Sequence, residues 1–187
     1  STEVKVETTT TADGKTVAKV DVAVEASGTT ATAKMTAEAV ASLATQAADS
    51  DVIVLNVAAA STATEVVAEI PAAALADLAS KTGSDLTVSS PVAEITISNA
   101  DLAAIAGSAT TVSITAKADG DKIAITVAAD GAAVAVNGGL KVSVPAKEGA
   151  VVYLVAEDGT ETVIEDAVFA DGKVTITLTG SATIRIA

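Results

Sequence analysis

The sequence predicts an α+β fold, mainly β, with N-terminal strand–short helix–strand repeats packed on a sheet, followed by a small antiparallel β-sandwich. Three observations lead there. One spacing of large apolar residues recurs three times before residue 107. Asp-Gly turns punctuate alternating runs after residue 116. Half of the 187 residues are hydrophobic, yet only 1% are aromatic. The expected division is a β/α repeat domain over 1–116 and a sandwich-like domain over 117–187.

The chain opens with Val4 and Val6 alternating with polar residues, then Asp13-Gly14, then Val20, Val22 and Val24 two apart. Period-two alternation on both sides of an Asp-Gly pair predicts a hairpin. The three matched segments follow. Met35/Val40/Leu43, Ile70/Leu75/Leu78 and Ile97/Leu102/Ile105 hold the same offsets, with Ala filling most of the places between. Spacings of five and three suit a helix, and matched spacing across three segments suits an internal repeat. Thr36 is placed as an N-cap, Pro71 in a first helical turn, and Ser98 with Asp101 resembles a capping box. Gly83 and Gly107 stand where helices end. Strand-like runs flank each helix: 31–35 and 52–57, 66–70 and 85–88, 93–97 and 112–116. The helices are too short to persist alone in water, so they must dock on a sheet.

After Lys117 the helical period stops. Asp119-Gly120, Asp130-Gly131, Asp158-Gly159 and Asp171-Gly172, with Asn137-Gly138-Gly139, separate runs at 123–128, 133–136, 140–144, 151–155, 162–164, 174–178 and 183–186. Many short strands at regular spacing predict an antiparallel sandwich, and Pro145 ends a strand where its missing N–H does least harm.

Composition excludes much chemistry. The chain has no His, Cys or Trp, one Met (Met35), one Tyr (Tyr153) and one Phe (Phe169). A Ser-His-Asp triad, an imidazole ligand, a thiolate nucleophile, a disulfide and a sulfur-ligated zinc or iron–sulfur site are therefore ruled out. With 24 acidic and 11 basic side chains the net charge is −13, which opposes nucleic acid and anionic membrane surfaces. No apolar run reaches the ~20 residues that span a bilayer, so membrane insertion is not expected. The chain starts at Ser1 without a leader-like stretch, as a piece trimmed from a longer protein would.

The remaining candidate sites each have a plainer reading. A two-carboxylate glycosidase would need sugar platforms that only Tyr153 and Phe169 could supply. No Ser-x-x-Lys motif joins a serine to a lysine. Asp49/Asp51, Asp119/Asp121 and Glu165/Asp166 could offer oxygen to calcium, but none matches an EF-hand loop, and Lys122 stands where another oxygen should follow. Gly138-Gly139 lacks the lysine and the following helix of a phosphate loop. Thr8–Thr11 reads as an exposed strand or an O-glycosylation target. Tyr153 shares a strand face with Val151 and Val155 and is expected to pack with them. No catalytic, cofactor-binding or metal-ligating residue is assigned, and no cofactor.

Glu69–Leu75, Leu86–Val88 through Ile95–Ile97, the helix Asp101–Ala106, the strand 140–145 closing on Pro145, Val152–Leu154 and the final Gly172–Thr177 hairpin resemble a module of repetitive Gram-positive cell-surface proteins, often found beside S-layer homology repeats. The resemblance covers residues 30–187. It implies an extracellular, wall-associated setting, a structural or adhesive role, and partners among other modules of the same protein or cell-wall components. It carries no catalytic residues. No S-layer homology repeat lies within the chain, so an anchor would sit elsewhere in the parent protein. Gram-positive surface domains sometimes carry a Lys–Asn isopeptide crosslink, for which Asn56, Asn99 and Asn137 are the available partners, Asn56 foremost. The expected function is a noncatalytic structural or spacer module; the alternative is an adhesin or a carbohydrate- or protein-binding module. A third expectation concerns assembly, with the strand Glu3–Glu7 adding to a neighbouring copy's sheet unless it pairs within its own chain.

Overall fold

The computed structural model describes residues 4–187. The chain is mainly β, with 52% of residues in strands and 16% in three helices, arranged as two mixed sheets. The strands are β1 (Val6–Thr10), β2 (Thr16–Val22), β3 (Glu25–Ser27), β4 (Thr30–Lys34), β5 (Val52–Val57), β6 (Glu65–Pro71), β7 (Asp85–Ser89), β8 (Glu94–Ile97) and β9 (Thr111–Asp119). They continue with β10 (Lys122–Ala129), β11 (Ala132–Ala133), β12 (Ala135–Pro145), β13 (Val152–Val155), β14 (Glu161–Val163), β15 (Val168–Ala170), β16 (Lys173–Gly180) and β17 (Ala182–Ile186). The helices are α1 (Ala37–Gln46), α2 (Ala72–Thr82) and α3 (Asn99–Ala106).

One sheet has the order β1-β2-β5-β7-β8-β12-β16-β15 and the other β14-β13-β17-β10-β9-β6-β4-β3, with β11 on β10. The hairpin expected across Asp13-Gly14 is present as β1 antiparallel to β2, from Val6 opposite Val20 to Thr10 opposite Thr16. Residue Glu3 of the proposed assembly strand lies outside the described residues. Strands β2, β5 and β7 are mutually parallel, as are β4 and β6, and the other pairs are antiparallel.

The helices do not lie over parallel strands of one sheet. Each joins the two sheets: α1 runs from β4 to β5, α2 from β6 to β7, α3 from β8 to β9. The strands entering and leaving a helix never pair. The matched offsets straddle the strand–helix junction, because Met35 directly follows β4, Ile70 and Ile97 sit at the ends of β6 and β8, and only the later two members of each set are helical. Thr36 caps α1 as expected, its Oγ1 accepting the Ala39 N–H at 3.1 Å. Pro71 occupies the N-cap position of α2 rather than its first turn. Gly83 closes α2 at φ 65°, a left-handed conformation that favours glycine.

The division after residue 116 does not coincide with any layer. It falls inside β9, and each sheet draws strands from both sides of it. One apolar cluster runs from Ala18 to Ile184 and includes Leu43, Leu75, Leu102, Val127, Val142 and Ile176. The strands of 117–187 form an antiparallel group at one end of each sheet, β12-β16-β15 in one and β14-β13-β17-β10 in the other, continuous with the strands that precede them. A core of Ala, Val, Leu and Ile gains little per residue from burial, which scales with apolar area, and so depends on close packing throughout. Three of the four edge strands, β3, β14 and β15, have only three residues, which limits strand addition by other chains. Among the described residues no helix is long and apolar enough to cross a membrane.

Candidate functional site

The acidic pairs do not converge. Among the described residues no three carboxylates come together in a way that could hold a metal ion. Asp51 lies at the start of β5, where its Oδ2 accepts the Thr16 N–H at 2.8 Å while Asp49 points into solvent. Asp119 and Asp121 flank the β9–β10 turn, and Asp121 Oδ2 is 3.7 Å from Arg185 Nη1. Glu165 and Asp166 lie between β14 and β15, Glu165 exposed in solvent.

The three asparagines are held apart. Asn56 Nδ2 donates to Asp21 Oδ1 at 2.7 Å on an exposed sheet face, not in an apolar interior. Asn99 ties the end of α2 to the start of α3: its Nδ2 donates to the carbonyls of Ala79 and Ser84, and its N–H to Asp85 Oδ1. Asn137 is exposed on β12.

Tyr153 faces outward, because the inward residue of β13 is Val152. The face that Tyr153 shares with Val151 and Val155 is thus the outer one, and Val151 is 39% exposed. The ring is nonetheless in contact. The Arg185 guanidinium lies 4.5 Å from its centroid, a cation–π geometry. Arg185 also grips Glu161 at 2.9 Å from Nε and 2.6 Å from Nη2. Those bonds raise the arginine further above its ordinary value and hold the Glu161 carboxyl below its own. Phe169, half-buried on β15, packs against the core and borders an open depression of about 540 Å³ with Lys147, Glu148, Asp171 and Lys173. A groove of about 380 Å³ runs between α1 and α2, floored by Val40, Ala44, Ala74 and Leu78.

Among the described residues the one buried carboxylate is Asp101, 7% exposed in α3. It is not the second half of a capping box. Ser98 donates its hydroxyl to Asp101 Oδ2 at 2.8 Å, and no side chain caps α3. Asp101 instead accepts the Gly138 N–H at 3.1 and 3.2 Å, fastening α3 to β12. Gly138-Gly139 is thus a close-approach point: a Cβ at Gly138 would collide with the Asp101 carboxylate.

Two further fasteners hold strand starts in place, one of them marked by a repeated Ser-Asp pair. Ser-Asp opens both β5 (Ser50-Asp51) and β7 (Ser84-Asp85). Ser84 Oγ donates to the Ser50 carbonyl, Asp85 N–H to the Asp51 carbonyl at 3.0 Å, and Asp51 N–H to the Thr16 carbonyl at 2.8 Å. These bonds link the starts of β2, β5 and β7. Asp130 fastens the start of β9, accepting the Thr110 and Thr111 N–H groups at 2.9–3.0 Å.

Those N–H groups, Thr111 first and then Thr110, hold the Asp130 carboxyl below its ordinary value. A pKa lower in the folded than in the unfolded state gives stability that is present above the unfolded value. That stability is lost as pH falls through the folded one. Asp130→Asn keeps a residue that tolerates φ 49° while removing the charge. Melting curves from pH 7 downward are expected to show the variant less stable at neutrality, with the two proteins converging below the ordinary aspartate value of about 3.9. A gap that persists at the acid end would refute this. Taking the difference cancels the relief of acidic self-repulsion, which both proteins share.

No family model, no curated protein and no solved structure matches the chain.

Proposed function

We propose that the chain is a noncatalytic structural or spacer module of a bacterial cell-surface protein, working outside the cell beside other modules of that protein or cell-wall components. One observation carries the reading: the polar side chains best placed for chemistry are engaged in fastening the chain to itself. Asp51, Asp85, Asp101 and Asp130 accept backbone N–H groups, Asn99 bridges two helices, and Arg185 is bonded to Glu161 against Tyr153. The net charge of −13 would keep neighbouring copies apart.

The test uses the purified chain with a panel of cell-wall glycans and peptidoglycan. No turnover is expected with any of them, and sustained bond cleavage would overturn the noncatalytic reading. Glycan or host-protein binding that is abolished by Tyr153→Ala would replace it with the adhesin reading. Arg185 already lies on the Tyr153 ring, so ligand stacking there would first have to displace it.

A further inference from the structure

We propose that Asn137-Gly138 is a self-modification site, a succinimide-forming pair whose deamidation is held back by the Asp101 carboxylate while α3 and β12 stay joined. Of the three asparagines only Asn137 precedes glycine; Asn56 and Asn99 precede Val57 and Ala100. Glycine offers an attacking backbone nitrogen no side-chain hindrance. Asn137 is also exposed to water, and the two residues that follow it are glycines.

In the reaction the Gly138 nitrogen loses its proton and attacks Asn137 Cγ. The N–Cγ bond forms, the Cγ–Nδ2 bond breaks, and ammonia leaves. Water then opens the five-membered imide at either carbonyl, giving aspartate or isoaspartate. The balance is asparagine plus water to an aspartyl residue plus ammonia, and no oxidant or cofactor takes part.

The structure controls the first step. The Gly138 N–H points at both Asp101 oxygens, at 3.2 and 3.1 Å. A carboxylate is far too weak a base to take an amide proton, and its negative charge opposes a developing amide anion beside it. The bond also fixes the peptide plane that must turn toward Asn137. The next residue, Gly139, sits at φ 92°, and the Thr177 methyl occupies the place that a Cβ there would take. Asp101 in turn is oriented by the Ser98 hydroxyl.

The imide and the fastening exclude each other. The imide nitrogen carries no hydrogen, so Asp101 loses its donor when the ring closes. Hydrolysis restores the N–H but adds a carboxylate at residue 137, next to the Gly138 N–H that Asp101 holds, and isoaspartate lengthens the main chain of β12 next to its pairing with β8 and β16. Once formed, the product weakens the contact that had delayed it.

The experiment incubates wild type, Asp101→Ala and Leu43→Ala at mildly alkaline pH, at a temperature where each remains folded. The Asn137 peptide is followed by mass and by isoaspartate-specific methylation. Asp101→Ala is expected to deamidate at least about tenfold faster than wild type, since a bond to a charged acceptor no longer holds the nitrogen. Leu43→Ala, destabilised in the core away from the loop, is expected to stay near the wild-type rate. Equal rates in wild type and Asp101→Ala would overturn the proposal. So would equal acceleration by Leu43→Ala, which would make general opening the cause. If Asp101→Ala does not fold, Ser98→Ala takes its place. It keeps the carboxylate but frees it to turn, so a smaller rise is expected, and no rise again overturns the proposal.

Discussion

Replacing Leu75 by aspartate is expected to unfold the whole chain. Leu75 is fully buried in α2, which packs against both α1 and α3. An ionised carboxylate there would have no partner, and burying an unpaired charge ranks among the most destabilising single changes, at more than about 4 kcal/mol. The milder Leu75→Ala leaves a cavity and is expected to lower stability by about 2–5 kcal/mol.

The more telling outcome is where the loss is felt. All three helices lie before residue 107, and Tyr153 lies at the other end of the sequence. The far-ultraviolet helix signal and tyrosine fluorescence thus report on different stretches. With one core shared by both sheets, the two transitions of Leu75→Ala are expected to coincide and to move together from wild type. A tyrosine transition left at its wild-type midpoint while the helix signal shifts would show that residues 117–187 fold by themselves, and the single-core description would fail.

That distinction was not legible in the sequence, for a physical reason. Period-two and helical spacing are local, so they locate β5 at 52–57, its observed limits, and α2 and α3 within a few residues. Pairing is not local. The alternation in Val66–Ile70 fits a neighbour on either side and in either sheet, and only tertiary packing sets β6 between β4 and β9. The change of texture at Lys117 reflected the end of the helices, not the end of a layer, since β9 continues through it to Asp119. At the candidate site, the spacing of three between Ser98 and Asp101 suggests a cap. The partner of Asp101 lies 37 residues on and is a backbone N–H, which no side-chain pattern announces. The glycine pair itself was the available clue, since a residue lacking a side chain inside a strand often marks a close approach.

Gly138→Ala tests that approach directly. Gly138 sits where β12 shifts register against β16, between Ala135 and Leu140. An added methyl would overlap the Asp101 carboxylate and come within 3.3 Å of Ser98 Oγ. Neither neighbour is the free end of a flexible chain: both belong to the α3 start and are bonded to each other. Asp101 must therefore swing away and lose the Gly138 N–H, or β12 must move off α3. The expected loss is about 2–4 kcal/mol, joining overpacking to a buried charged group left short of a donor. Gly14→Ala makes the comparison, because its hairpin position at φ 85° has open space around it and meets only backbone strain of about 1–2 kcal/mol. The decisive measurement is a double-mutant cycle by urea unfolding. In an Asp101→Ala background the obstructing carboxylate is gone, so Gly138→Ala should lose most of its effect, with a coupling energy above about 1 kcal/mol. Additive losses would mean that the methyl is resisted by something other than Asp101. The helix–strand fastener would then have to be abandoned as the reason for glycine at 138.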